Sequence, residues 1–141
     1  MFLSILCVDI LSPDYYKNVS DENKLKIFKS KAFRNRIKKD NEYYESNIDY
    51  VNKNMPSYKC RDLLKCNEFL YKMNKVLLEI NKYINEYEYV YVFLQQTKLN
   101  TKSVKIQKKL LSRNISYLKY KLERLEIHRD VLQFQIKYDC E

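Results

Sequence analysis

Glycine is missing altogether from this 141-residue sequence, and proline occurs only as Pro13 and Pro56. Without glycine the chain lacks the usual residue for positive φ, for tight hairpin turns and for phosphate-cradling loops. Nucleotide-binding motifs built on glycine-rich turns are thereby excluded. Long helices with few interruptions are the architecture that remains. Tryptophan is also absent, and histidine occurs once, as His128. The cysteines, Cys7, Cys60, Cys66 and Cys140, form no C-x-x-C pair, so the spacing of a zinc site is lacking and they read as free, packing thiols. A cysteine–histidine nucleophile pair fails as well, because the stretch from His128 to Cys140 would cover about 18 Å of helix.

No run approaches the ~18–20 consecutive apolar residues of a bilayer span. The apolar start, Met1 to Val8, has no basic region ahead of it and meets Asp9 at once, unlike a secretory signal. A soluble protein without membrane contact is expected. Apolar residues make up 45% of the chain and charged residues 32%, a balance that argues against disorder and leaves narrow stripes to bury. The net charge of +9 permits an acidic partner, whether nucleic acid, membrane or protein, without choosing among them.

Residues 1–19 show no sustained period and contain Pro13, as an extended arm would. Ser20-Asp21-Glu22 then offers a cap with acidic residues in the first turn. From Lys24 to Lys39 there are eight basic residues and no acidic one, with Leu25, Phe28, Ala32 and Phe33 as a modest apolar stripe. This predicts a basic helix, in which Lys31, Arg34, Arg36, Lys38 and Lys39 are the candidate phosphate contacts. Glu42 to Lys53 is compatible with helix but weakly patterned. Pro56 marks the main break, with Ser57 placed to cap the next helix. Two regions are expected, 1–56 and 57–141.

From Leu63 onward, residues seven apart read Leu63, Leu70, Leu77, Ile84, Tyr91, and the interleaved series reads Cys66, Met73, Ile80, Tyr87, Leu94. This is the a/d pattern of a long coiled-coil helix. Gln95 to Lys102 interrupts it, predicting a bend or hairpin turn, and Thr101 or Ser103 is placed to cap a last helix. That helix resumes the register with Leu111, Leu118, Leu125, Leu132 and with Ile115, Leu122, Arg129, Ile136. Arg129 either sets register and partner choice or snorkels to solvent along its apolar stem. Paired carboxylates such as Glu86 and Glu88, or Glu123 and Glu126, sit among lysines and arginines as on a solvated ion-pair face. The expectation is an all-α, non-enzymatic chain: an extended arm, a basic helix, then two coiled-coil helices, with no catalytic residue, metal or cofactor.

Several short stretches also occur in a known order. Asp9-Ile10-Leu11-Ser12-Pro13-Asp14-Tyr15 is similar to an Asp, apolar, Leu-Pro-Tyr signature, with Ser12 and Asp14 departing from it. Phe28 and Arg34-Asn35-Arg36-Ile37-Lys38-Lys39 look like a helix bearing Phe and then Arg-Asn-Glu-Phe-Glu-Arg, with both acidic positions turned basic. Met55-Pro56 matches an apolar residue and proline ahead of a heptad region. Leu122 to Gln133 tracks an apolar-x-x-Leu-Asn-x-x-Arg-Lys-x-x-Gln run at Leu122, Leu125, Arg129 and Gln133, but has Glu126 for Asn and Asp130 for Lys. In this order the chain resembles the breast carcinoma amplified sequence family, helical subunits of the spliceosomal NineTeen complex. That family continues with a further helical stretch, so the resemblance is to a shortened member.

The resemblance implies a nuclear scaffold in pre-mRNA splicing. Its coiled coil would pair with the helical stalk of the complex's ubiquitin ligase subunit and with the Myb-domain subunit, with at most weak or indirect RNA contact. Leu111, Ile115, Leu118, Leu122, Leu125, Leu132 and Ile136 would be knobs inserted into partner helices, and Arg129 and Gln133 would add specificity. Two alternatives stay open on the residues alone. One is a basic RNA- or DNA-binding helical protein acting through residues 24–39, and the other is a self-associating structural coiled coil unrelated to splicing.

Overall fold

A computed structural model describes residues 18–55 and 62–138. Among the described residues there are four α-helices and no strand: α1 (Asp21–Phe28), α2 (Lys31–Lys53), α3 (Leu63–Gln96) and α4 (Lys102–Tyr138). The all-α expectation holds. The arm up to residue 17, together with Pro56 and Ser57, lies outside the described residues.

Short polar side chains start the helices. Ser20 Oγ accepts from the Asn23 amide at 3.3 Å, with Asp21 and Glu22 in the first turn. Asp62 caps α3 by accepting from the Lys65 amide at 3.2 Å. Thr101 caps α4, accepting from the Val104 amide at 3.4 Å. Each cap satisfies one of the amides that a helix start leaves without a partner.

The single basic helix expected from residue 20 is in fact two. Ser30 Oγ donates to the Ile27 carbonyl at 2.7 Å and accepts from the Phe33 amide at 3.1 Å. One hydroxyl thus closes α1 and opens α2. Serine competes with the backbone for its own hydrogen bonds, and here that competition divides the lysine-rich run.

Two compact units form, one from Met1–Asn41 with Ile84–Ser116, the other from Glu42–Tyr83 with Tyr117–Glu141. After the turn at 97–101 the chain doubles back, so α2, α3 and α4 each lend a segment to both units.

In the first unit, Phe28, Phe33 and Ile37 are buried with Tyr87, Val90 and Leu94 of α3 and Val104 and Leu111 of α4. Phe28 lies at their centre, its ring 5.4 Å from Phe33 and 5.4 Å, edge-on, from Phe93. Aromatic pairs in such tilted geometries contribute beyond their buried area. Beside them the Tyr87 hydroxyl donates to Asp40 Oδ2 at 2.8 Å, and Arg36 Nε donates to the same oxygen at 3.1 Å.

Burial raises the Asp40 pKa above its ordinary 3.8, an effect only partly offset by the Tyr87 hydrogen bond and the Arg36 charge. The folded state therefore holds this proton more tightly than the unfolded chain does. Asp40 contributes stability that is fully present below pH 3.8 and is lost as pH rises through its folded pKa. Asp40→Asn is expected to flatten that loss, seen as a smaller drop in unfolding free energy than the parent shows between pH 3.8 and neutrality.

In the second unit, Ile48 and Val51 of α2 are buried with Met73, Leu77 and Ile80 of α3 and Leu118, Leu122 and Leu125 of α4. The Tyr44 and Tyr83 rings meet in a tilted arrangement, their centres 4.6 Å apart. Cys66 is buried here as a free thiol, its pKa raised by burial and by the Asp62 carboxylate. That is the environment of an inert, packing cysteine.

Along α3 the series Cys66, Met73, Ile80, Tyr87, Leu94 is buried throughout, whereas Leu63 is exposed and Leu70 and Tyr91 are half-buried. Tyr83 and Val90 are buried in the adjacent positions. A straight helix drifts by ~20° per heptad, which carries the buried stripe off the outer residues of the Leu63 series.

Candidate interaction surface

The leucine seam of α4 is turned inward. Leu111, Ile115, Leu118, Leu122, Leu125 and Leu132 are all buried by the chain's own helices, the first two in one unit and the rest in the other. As knobs for a partner helix they would have to leave a core they already fill. Ile136 is half-buried, and Gln133 is exposed. Arg129 is half-buried, with Nε and Nη2 at 3.2 and 3.1 Å from Asp130 Oδ1. Its guanidinium is thus paired with the neighbouring carboxylate on the same helix.

The basic candidates separate in the same way. Lys31, Lys38 and Lys39 are exposed. Arg36 is bound to Asp40 at 3.1 Å and Arg34 Nε donates to Gln107 Oε1 at 3.1 Å. The two guanidinium groups are therefore structural partners first, and only the lysines present unpaired charge to a phosphate among these candidates.

No pattern in the sequence singles out Gln107. It is wholly buried, and besides accepting from Arg34 its Nε2 donates to the Phe28 carbonyl at 3.1 Å and to the Ser30 carbonyl at 3.0 Å. One amide from α4 thus ties the end of α1 to the start of α2, binding the Phe28 carbonyl and sharing the Ser30 carbonyl with the Arg34 amide at 3.2 Å. The only hint in the sequence is a glutamine at a position where the inward stripe, one turn on either side, has Val104 and Leu111.

Among the described residues, α3 and α4 each carry an apolar stripe of three or more members facing outward, both in the second unit. On α4, Tyr120, Arg124, Ile127, Val131, Phe134 and Tyr138 succeed one another at alternating spacings of four and three, a second a/d register on the side of the helix away from Leu118, Leu125 and Leu132. Ile127 is 57% exposed and Phe134 60%. The series begins after Tyr117, whose phenol is drawn to α2 by a hydrogen bond to Glu45; that bond, with burial, raises its pKa. On α3, Leu64, Tyr71 and Leu78 recur at seven-residue spacing, with Tyr71 73% and Leu78 71% exposed. Scattered exposed apolar residues are ordinary, but repeats in register are not.

The first unit has an open cavity of about 330 Å³ between α1 and the end of α3, where Lys24 Nζ lies 5.8 Å from the Tyr89 ring centre and 5.9 Å from that of Phe93. Asp21 pairs with the same ammonium at 3.8 Å. Among the described residues no group of three or more His, Cys, Asp and Glu side chains is arranged to hold a metal ion, and no helix is long and apolar enough to cross a membrane. No protein-family model, no curated protein and no solved structure matches the chain.

Proposed function

We propose that this protein is a non-catalytic helical scaffold of pre-mRNA splicing, a divergent relative of the breast carcinoma amplified sequence family that holds partners through coiled-coil contacts in the nucleus. The scaffold role is carried by one observation: apolar side chains stand exposed at heptad spacing on α3 and α4, where a further helix can seat between them. The splicing assignment rests on the ordered resemblance, above all Leu122, Leu125, Arg129 and Gln133. Because Leu118, Leu125 and their neighbours are enclosed by this chain, the stalk of the ubiquitin ligase subunit and the Myb-domain subunit would be met on the outward stripes instead.

A double substitution, Tyr71→Asp with Leu78→Asp, tests this on α3. Both side chains are exposed, so the helical content is expected to stay as in the parent. Co-purification of splicing proteins is expected to fall at least about tenfold, the equivalent of ~1.4 kcal/mol of lost contact. Undiminished recovery of those proteins by the folded variant would remove α3 as their docking face.

A further inference from the structure

We propose that the outward stripe of α4 is covered by the same stripe of a second copy of this chain, the two helices running antiparallel. The inference rests on the scaffold role proposed above and names the occupant of one of its two faces. The argument comes from what each alignment would bring together. With Tyr120, Ile127 and Phe134 as one core series and Arg124, Val131 and Tyr138 as the other, the flanking positions are Glu123, Asp130 and Lys137 on one side and Lys121, His128 and Gln135 on the other.

In a parallel, in-register pair each core residue meets its own counterpart, so the Arg124 guanidinium would face a second Arg124 across a narrow apolar interface. Like charges so placed are destabilising. The flanks would add only Glu123 against His128 and Asp130 against Gln135, neither of them a strong ion pair.

Antiparallel pairing changes every layer. Arg124 meets Phe134 of the second copy, a cation over an exposed aromatic face. Ile127 meets Val131, and Tyr120 meets Tyr138. Arg124 already binds in this manner within its own helix, its guanidinium 5.6 Å from the Tyr120 ring centre and Nη1 donating to the Tyr120 hydroxyl at 3.0 Å. On the acidic flank Glu123 comes beside Lys137 of the other chain, twice by symmetry. Asp130 meets Asp130 near the two-fold axis, but each carries its own Arg129 at 3.1 Å, so that contact is neutralised in advance. The arrangement is isologous: one patch serves both partners and closes the assembly at two.

Sedimentation of the purified full chain between about 1 and 100 μM, a range matched to interfaces of micromolar affinity, decides the matter. The expected species has twice the 17.3 kDa mass of one chain. Ile127→Glu with Phe134→Glu should give single chains of unchanged helicity, since both positions are exposed. Glu123→Lys should weaken the pair at least tenfold, and adding Lys137→Glu should restore it, because the exchange re-forms both bridges only in the antiparallel register. A single chain at every concentration overturns the proposal. So does a pair that survives the double glutamate variant, or one that the charge exchange fails to restore. A single chain that still co-purifies with splicing proteins would reject this pairing and leave the scaffold role intact; a pair without those proteins would do the reverse.

Discussion

Gln107→Leu is expected to lower the unfolding free energy by about 2–4 kcal/mol, measured by denaturant titration. The side chain fits its site by size, so the loss arises from polar groups left behind. The Phe28 carbonyl loses the Gln107 amide, the Ser30 carbonyl keeps only the Arg34 backbone amide at 3.2 Å, and Arg34 loses the oxygen that its Nε holds at 3.1 Å. Removing hydrogen bonds from polar groups held in a buried place costs more than the net worth of the same bonds made in water. Gln107→Glu should be damaging for a different reason: it keeps the acceptor for Arg34 but replaces both donors with an anion aimed at two carbonyl oxygens. By contrast Gln133→Leu, at an exposed position, should alter stability by less than about 0.5 kcal/mol. Equal effects at 107 and 133 would mean that the α1–α2 junction does not depend on this amide.

Leu118→Asp should be the most destructive single change, costing more than about 4 kcal/mol and shifting the thermal midpoint by many degrees. Leu118 is completely buried, and a carboxylate there would have either to ionise in an apolar core or to bind a proton at neutral pH. Circular dichroism melts read the effect directly. The same measurement separates two uses of the leucine seam. If it served a partner helix, Leu118→Asp would leave the isolated chain as stable as before and abolish binding only. If it fills the chain's own core, loss of binding by this variant reports unfolding, and contact with a partner must be tested at exposed positions such as Tyr71 or Leu78 instead.

Helix content and the α3 and α4 seams were legible in the sequence because a seven-residue repeat of leucine, isoleucine and tyrosine admits few other readings. The caps at Ser20 and Thr101 were legible for a similar local reason. What a period does not encode is which element covers the stripe. The pattern of Leu111, Leu118 and Leu125 is the same whether the facing surface comes from this chain or another, and only the doubled-back path through the turn at 97–101 makes it internal. The outer register from Tyr120 to Tyr138 was present in the sequence too, but it was masked by the stronger leucine series that interleaves with it. Ser30 lies inside an unbroken basic run, where a single hydroxyl has no neighbouring glycine or proline to mark it as a helix stop. Gln107 acts on residues more than seventy positions away, beyond the reach of any local pattern.

The absence of glycine has an effect on the state that competes with this fold. Among the described residues no backbone adopts positive φ, so the turn at 97–101 and the joint at Ser30 are built entirely from conformations open to ordinary side chains. Each position where such a residue stands instead of glycine removes conformational freedom from the denatured chain, worth roughly 0.4–1 kcal/mol where the native geometry is compatible. The connectors therefore favour folding partly through the restricted wandering of the unfolded polypeptide. Placing glycine at Leu99, which is 44% exposed, would shift the balance toward the coil through the unfolded chain.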